Sequence, residues 1–285
     1  MKEGINSIEE AYSNAIKLAV EHYENFPVIS FFMPRKLHKH IAIIYWFARV
    51  SDDIADEGDI PDGQRIERLD EFERQLGRCL EGKPSGELWN ALRNTINMFE
   101  LKKEYFYDLL SAFRQDITQK RYKNFDELLD YCRRSANPVG RIILQLSGIK
   151  NPECYKYSDL VCTALQLINL YQDVSIDYKK GRIYIPVDEM KKFGVNESSI
   201  ASEKADNNFK DLMKFQLKRN MKMFVEGAYL IEILPYKLKY QVSWTIHGGK
   251  KILYKIIDMD YDILKKRPYL SKIDYLLLML KGLMG

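Results

Sequence analysis

The chain has 285 residues and a formal charge of +4, with 46% hydrophobic and 29% charged residues. These are globular proportions, and the near balance of charge excludes the concentrated basic stripe of a nucleic-acid-binding protein. The four cysteines, Cys79, Cys132, Cys154 and Cys162, form no CxxC pair and have no histidine at zinc spacing, so neither a disulfide framework nor a zinc site is expected.

Apolar residues three and four apart from Ile8 to Tyr23 predict a first helix. The acids Glu3, Glu9 and Glu10 leave no apolar core for a secretory signal, so a cytoplasmic location is expected. Pro27 and Pro34 bracket a loop, and the apolar spacing resumes from Ile41 to Val50. Gly58 to Gly63 and Lys83 to Gly86 are further loops. Asn124 is the expected N-cap of a helix beginning near Phe125, and Pro138 is expected to kink it. Gly148 to Pro152 ends that region. Arg182-Ile183-Tyr184-Ile185-Pro186 is the one segment that reads as extended. Gly194-Val195-Asn196 opens another connection, Gly248-Gly249 is expected to interrupt the late helical region, and Pro268 precedes a final helix. No run approaches the roughly 18 apolar residues of a membrane span. With no repeat and no linker, the pattern predicts a single all-α domain over residues 1–285, a bundle of roughly ten helices.

The first chemical constellation is Tyr45, Arg49, Asp52, Asp53 and Asp56. Asp52 and Asp56 are four apart and share one helix face. They fall near the C-terminus of a mainly apolar helix, where the macrodipole disfavours anions. Arg49 offsets only one charge, and a divalent cation is the natural remainder, since Mg2+ takes one or two carboxylates plus phosphate oxygens. The second constellation is Gln166, Asn169, Asp173 and Asp177, a polar stripe along an apolar helix, followed by Arg182 and Tyr184. Alone, each also reads as a solvated acidic helix end. Together, facing each other across a bundle, two such pairs suit Mg2+ ions around a diphosphate. Diphosphate leaves once its charge is neutralised. The carbocation left behind needs a dry cavity with aromatic walls. Phe26, Phe31, Phe32, Trp46 and Phe47 lie near the first motif, suited to such walls or to plain core packing.

A third constellation runs from Tyr131 to Gly140, where Ala136 and Gly140 leave room for a ligand chain or a neighbouring helix. Phe113-Arg114-Gln115-Asp116 adds a further acid.

These motifs together resemble the squalene/phytoene synthases. Tyr45 to Asp56 looks like that family's first aspartate-rich motif, Gln166 to Asp177 running on to Pro186 like its second, and Tyr131 to Gly140 like its middle substrate-lining helix. Within the family, Asn25 to Val28, Phe113 to Asp116, Arg133 to Pro138 and Tyr171 to Val174 look like the hydroxysqualene synthase branch of bacterial hopanoid biosynthesis. The resemblance implies an isoprenoid (terpenoid) synthase fold with a central apolar cavity. It implies a Mg2+-dependent carbon–oxygen lyase that ionises presqualene diphosphate and captures water to give hydroxysqualene. Asp52, Asp56, Asp173 and Asp177 would bind Mg2+ and diphosphate, with Asn169 and Gln166 supporting the second pair and Arg49 contacting diphosphate or orienting the first. Tyr131, Phe26 and Tyr45 would line the cavity, Arg182 and Tyr184 would close over it, and Asn137 or Asn25 would place the water or cap a helix.

Two departures guide the choice of branch. Many members carry serine where Asn25 stands, and many carry arginine where Gln172 stands; losing that positive contact suits an enzyme that receives its diphosphate intermediate ready-made. The alternatives are a squalene- or phytoene-type synthase condensing two allylic diphosphates such as farnesyl diphosphate, and a non-catalytic helical scaffold for pathway partner enzymes. The apolar product and the Lys265-Lys266-Arg267, Lys272 and Lys281 cations suggest a position peripheral to the cytoplasmic membrane.

Overall fold

The structure, a computed structural model, describes residues 2–21, 32–271, 273–275 and 277–278, with the backbone alone for 2–6 and 236. Among these there are fourteen helical segments and no strands. The excess over the expected ten comes from four helices of four to six residues. Helices that short complete too few turns for an apolar period to show. No described helix is long and apolar enough to cross a membrane. Contacts gather into two compact units, Met1–Thr118 with Pro138–Pro152 and Gln119–Asn137 with Glu153–Gly285.

In the first unit, α1 (Lys2–Glu21) packs on α2 (Arg35–Asp56) and α4 (Glu87–Phe99), and α2 also meets α3 (Asp62–Leu80) and α5 (Glu104–Thr118). Helix α2 buries Ile41, Ile43, Ile44, Trp46 and Phe47. Phe47 sits 5.3 Å from Phe72 and 5.2 Å from Phe106, and Trp46 sits 5.3 Å from Trp89. Trp46 and Phe47 are therefore core packing, the second of the two roles their position suggested. Helix α2 ends because Glu57 turns extended and Gly58 takes φ 80°. The guanidinium of Arg65, on α3, donates to the carbonyls of Ile54, Glu57 and Gly58. That cation satisfies the orphan carbonyls and the negative helix end.

His40 is buried on the same helix, with Nδ1 2.8 Å from Thr95 Oγ1 and its ring edge-on to Tyr12 and Phe99. Burial first, then the charge of Lys39, holds its pKa down at about 4, against an opposing pull from Glu9. The unfolded chain takes up this proton near pH 6.5 and the folded chain only near 4, so stability falls as pH drops through that window. His40→Gln is expected to remove this loss. Unfolding free energies from urea titrations between pH 7 and 4 should show the wild type falling relative to the variant by about 3 kcal/mol; parallel curves would refute the assignment.

In the second unit, Asn124 caps α6 (Phe125–Ser135), its side chain accepting from Glu127 N at 3.0 Å, as expected. The kink expected at Pro138 is a full break at Ala136, and α7 (Asn137–Leu146) begins one residue before the proline, which has no N–H to lose there; from Pro138 on, α7 belongs to the first unit. The 182–186 segment is extended as expected: Ile183 bridges Arg121, Ile183 N donates to Lys120 O, and Val187 N donates to Tyr122 O. Helix α8 (Pro152–Gln172) is buried on several sides, and α12 (Asn207–Gly227) and α14 (Tyr236–Asp258) also belong to this unit.

Gly248-Gly249 does not interrupt the late helix; α14 runs straight through. A Cβ on Gly249 would stand 2.5 Å from Phe224 and 2.9 Å from Leu165, so this glycine is there for close packing rather than for a turn. Gly249→Ala is expected to destabilise by about 1–3 kcal/mol, despite alanine's better helix propensity. A melting temperature equal to the wild type's would show that Phe224, fully buried, can step aside.

Candidate active site

The first acidic group stands on the last two turns of α2, where Asp56 is the final residue. Arg49 Nη2 lies 2.6 Å from Asp53 Oδ1, so it pairs with the intervening acid. Asp116, buried on α5, joins the group. Burial, then the like charges of Asp116 and Asp56, pushes the Asp52 carboxyl up to about 7, with Arg49 pulling the other way. Arg114, beside Asp116 in sequence, turns elsewhere and ties α5 to α3 through Asp70 and Glu73. Tyr45 is half-buried one turn before Arg49.

Like charges crowd Asp52, and a divalent cation relieves such crowding. Among the described residues, no three His, Cys, Asp or Glu side chains stand close enough to chelate an ion on their own. The donor set fits Mg2+ in its usual protein form, one or two carboxylates completed by phosphate oxygens and water.

The second group lies where α8 ends. Asp173 breaks the helix at φ −104°, ψ 10°, and α9 (Val174–Lys179) follows. The polar stripe survives this break, because Asp173 N donates to Asn169 O at 3.0 Å and Asp177 N to Asp173 O at 2.8 Å. Asn169, Asp173 and Asp177 thus keep their four-residue spacing across two helices instead of the single one expected. Gln166 is half-buried one turn earlier. Arg182 Nη2 sits 3.6 Å from Asp177 Oδ1, both side chains nearly buried. Arg267 makes a two-point pair with Asp173, its Nη2 3.1 Å from Oδ2.

Arg267 was grouped in the sequence with the C-terminal surface cations. The structure corrects this: it faces an aspartate 94 positions away, while Lys265 and Lys266 are exposed. Gln172, fully buried, donates its amide to the carbonyl of Pro268. Nothing in local spacing signals either contact.

Tyr131 and Tyr184 come together with Tyr122. Their ring centroids are 5.5 to 5.8 Å apart, and Tyr122 stacks on Tyr184. All three are buried. Asn137 is buried too, its side-chain oxygen accepting from Thr163 Oγ1 at 3.0 Å. Phe26 and Asn25 lie outside the described residues.

The fold is that of the all-α isoprenoid synthases. A squalene synthase from Alicyclobacillus acidocaldarius superposes with a TM-score of 0.84 at 34% identity, over 90% of this chain and 98% of that one. A dehydrosqualene synthase solved in complex with ligand has the same fold, with a TM-score of 0.88 at 21% identity over 99% of this chain and 98% of that one. The squalene/phytoene synthase family model matches residues 19–274, and the chain belongs to that family. It is an enzyme of isoprenoid biosynthesis. Hydroxysqualene synthase of Sinorhizobium fredii is 31% identical over 261 residues, 91% of this chain and 87% of that protein. Phytoene synthase of Arthrospira platensis is 28% identical over 273 residues, 91% of this chain and 88% of that protein.

Proposed function

We propose that the protein is a hydroxysqualene synthase, a Mg2+-dependent lyase of bacterial hopanoid biosynthesis. It takes presqualene diphosphate and water to hydroxysqualene and diphosphate. The observation that carries the reading is the crowding of buried Asp52 by the carboxylates of Asp116, Asp56 and Asp53, with Arg49 engaged at Asp53. In this reading Asp52 and Asp56 hold Mg2+, as do Asp173 and Asp177 with the Asn169 amide. Bound Mg2+ neutralises the diphosphate and makes it a better leaving group. Arg49 orients the first carboxylates through Asp53, and Gln166 supports the second set. Arg182 and Tyr184 close over the diphosphate, while Tyr131 and Tyr45 line the cavity, offering ring faces to the carbocation and keeping bulk water away. With its side-chain oxygen held by Thr163, Asn137 presents its amide nitrogen to place the one water that reacts.

The choice of branch is supported by the similarity to the Sinorhizobium fredii protein and by Gln172, a neutral side chain engaged with Pro268. The test is to give purified protein presqualene diphosphate with Mg2+ and identify the product. Hydroxysqualene is expected, and recovery of unreacted substrate would sink the reading. The similarity to phytoene and squalene synthases favours a second reading, condensation of two allylic diphosphates. A C30 product from farnesyl diphosphate alone would establish it. A non-catalytic scaffold has no reason to crowd carboxylates as this chain does.

We also propose that the enzyme sits at the cytoplasmic membrane surface. Tyr269, Ile273 and Leu277 are four apart and exposed, close in sequence to the exposed Lys265 and Lys266. The chain should float with anionic liposomes, and the Ile273→Glu, Leu277→Glu double variant should stay in the soluble fraction. Equal flotation of both would refute the surface.

A further inference from the structure

The two acidic groups differ in how their charge is answered. Asp52 is crowded by the carboxylates of Asp116, Asp56 and Asp53, and Arg49 pairs with Asp53. Asp173 instead already carries a two-point guanidinium partner in Arg267. A carboxylate so engaged has its oxygens committed, so a metal ion can bind it only by displacing the arginine or sharing an oxygen with it. The Arg267 side chain is 37% exposed and Asp173 25%, which keeps the pair strong enough to form and weak enough to exchange.

The partner is not held by the ion pair alone. The residue before Asp173 and the residue after Arg267 are bonded to each other, Gln172 Nε2 to the carbonyl of Pro268. Two adjacent residues on α8 and its end therefore clasp two adjacent residues of the segment after α14. Gln172 is fully buried, so its bond to Pro268 persists when the exposed half of the clasp opens.

We propose that Arg267 is a built-in counter-ion that occupies Asp173 until a divalent cation takes the carboxylate, with Gln172 the positioning residue that keeps Arg267 in place for the exchange. The proposal rests on the reading of Asp173 as a metal ligand. It places a cost on loading metal at the second acidic group. Arg267 thereby sets the Mg2+ concentration at which the enzyme becomes competent.

The experiment is calorimetric titration of the full chain with MgCl2 alone, with no substrate present. Arg267→Gln is expected to bind Mg2+ about three- to tenfold more tightly than wild type, the range set by a partly exposed two-point ion pair. Arg267→Lys, which keeps the charge and loses the fork, should show a smaller gain of the same sign; should the first variant fail to fold, the second decides alone. Gln172→Leu should also tighten binding, by about twofold or more, by loosening the hold on Arg267. A gain in affinity is the readout, because general damage to the site would weaken binding. Asp173→Asn separates the two ideas. If it weakens Mg2+ binding while the Arg267 variants leave affinity unchanged or lower, the counter-ion proposal fails and the metal-ligand reading stands. If Asp173→Asn binds Mg2+ like the wild type, Asp173 is no ligand and both fall.

Discussion

Asp52→Asn and Asp173→Asn are each expected to cut kcat by about a thousandfold or more, while moving thermal stability in opposite directions. The shared loss follows from the proposed chemistry, since an amide oxygen carries no charge with which to hold Mg2+ and diphosphate. The opposite shifts follow from the structure alone. Asp52 has its pKa raised by burial and by neighbouring acids. Such a group favours the fold while protonated in both states and costs stability as pH rises from its unfolded pKa through about 7. Asparagine cannot ionise, so Asp52→Asn should melt higher than wild type at pH 8 without metal. Asp173→Asn removes the partner of Arg267 and should melt slightly lower. Scanning calorimetry with a turnover assay reads both. Turnover within tenfold of wild type in either variant would overturn that residue's metal role, and a lower melting point for Asp52→Asn would overturn the charge-crowding account.

Glu189→Ala should destabilise the second unit by about 3–5 kcal/mol. Glu189, on α10 (Val187–Lys192), accepts two bonds from the Arg219 fork and one from Gln216 at 3.0 Å. Arg219 also lies 3.3 Å from the centre of the Phe125 ring, which joins α12 to α6. Both charges are largely removed from water, with side-chain exposures of 21% for Arg219 and 10% for Glu189. Removing the carboxylate strands a buried guanidinium. The double variant Glu189→Ala, Arg219→Met should recover much of the loss, because the stranded charge is gone and the ring face keeps an apolar partner. The single variant should melt about 10 °C lower. A shift of only a degree or two would mean that water reaches Arg219 and the pair is an ordinary surface contact.

Much of the site was legible because its chemistry is local. Asp52 and Asp56 share a face by the helical period, and the Asn169, Asp173, Asp177 spacing held even though the helix breaks at Asp173, since the backbone bonds four residues apart carry across it. Asn124 declared itself as a cap, and the extended 182–186 segment followed from its composition and its closing proline. Tyr131 and Tyr184 were singled out separately from their motifs. That their rings meet each other and Tyr122 was not written in either motif.

The all-α class, the family and the two acidic constellations could be read from the chain before folding, because helical period, capping and motif spacing act within about a dozen residues. The tertiary structure decided which charges are answered and by whom. Arg65 serves the end of α2, Asp116 crowds Asp52, and Arg267 closes on Asp173 from 94 positions away. It also decided that Gly249 marks a close approach rather than a helix break. The reason is common to all four. Coulomb energy and steric contact depend on distance in space, and no local pattern records which distant segment the fold will bring within a few ångströms.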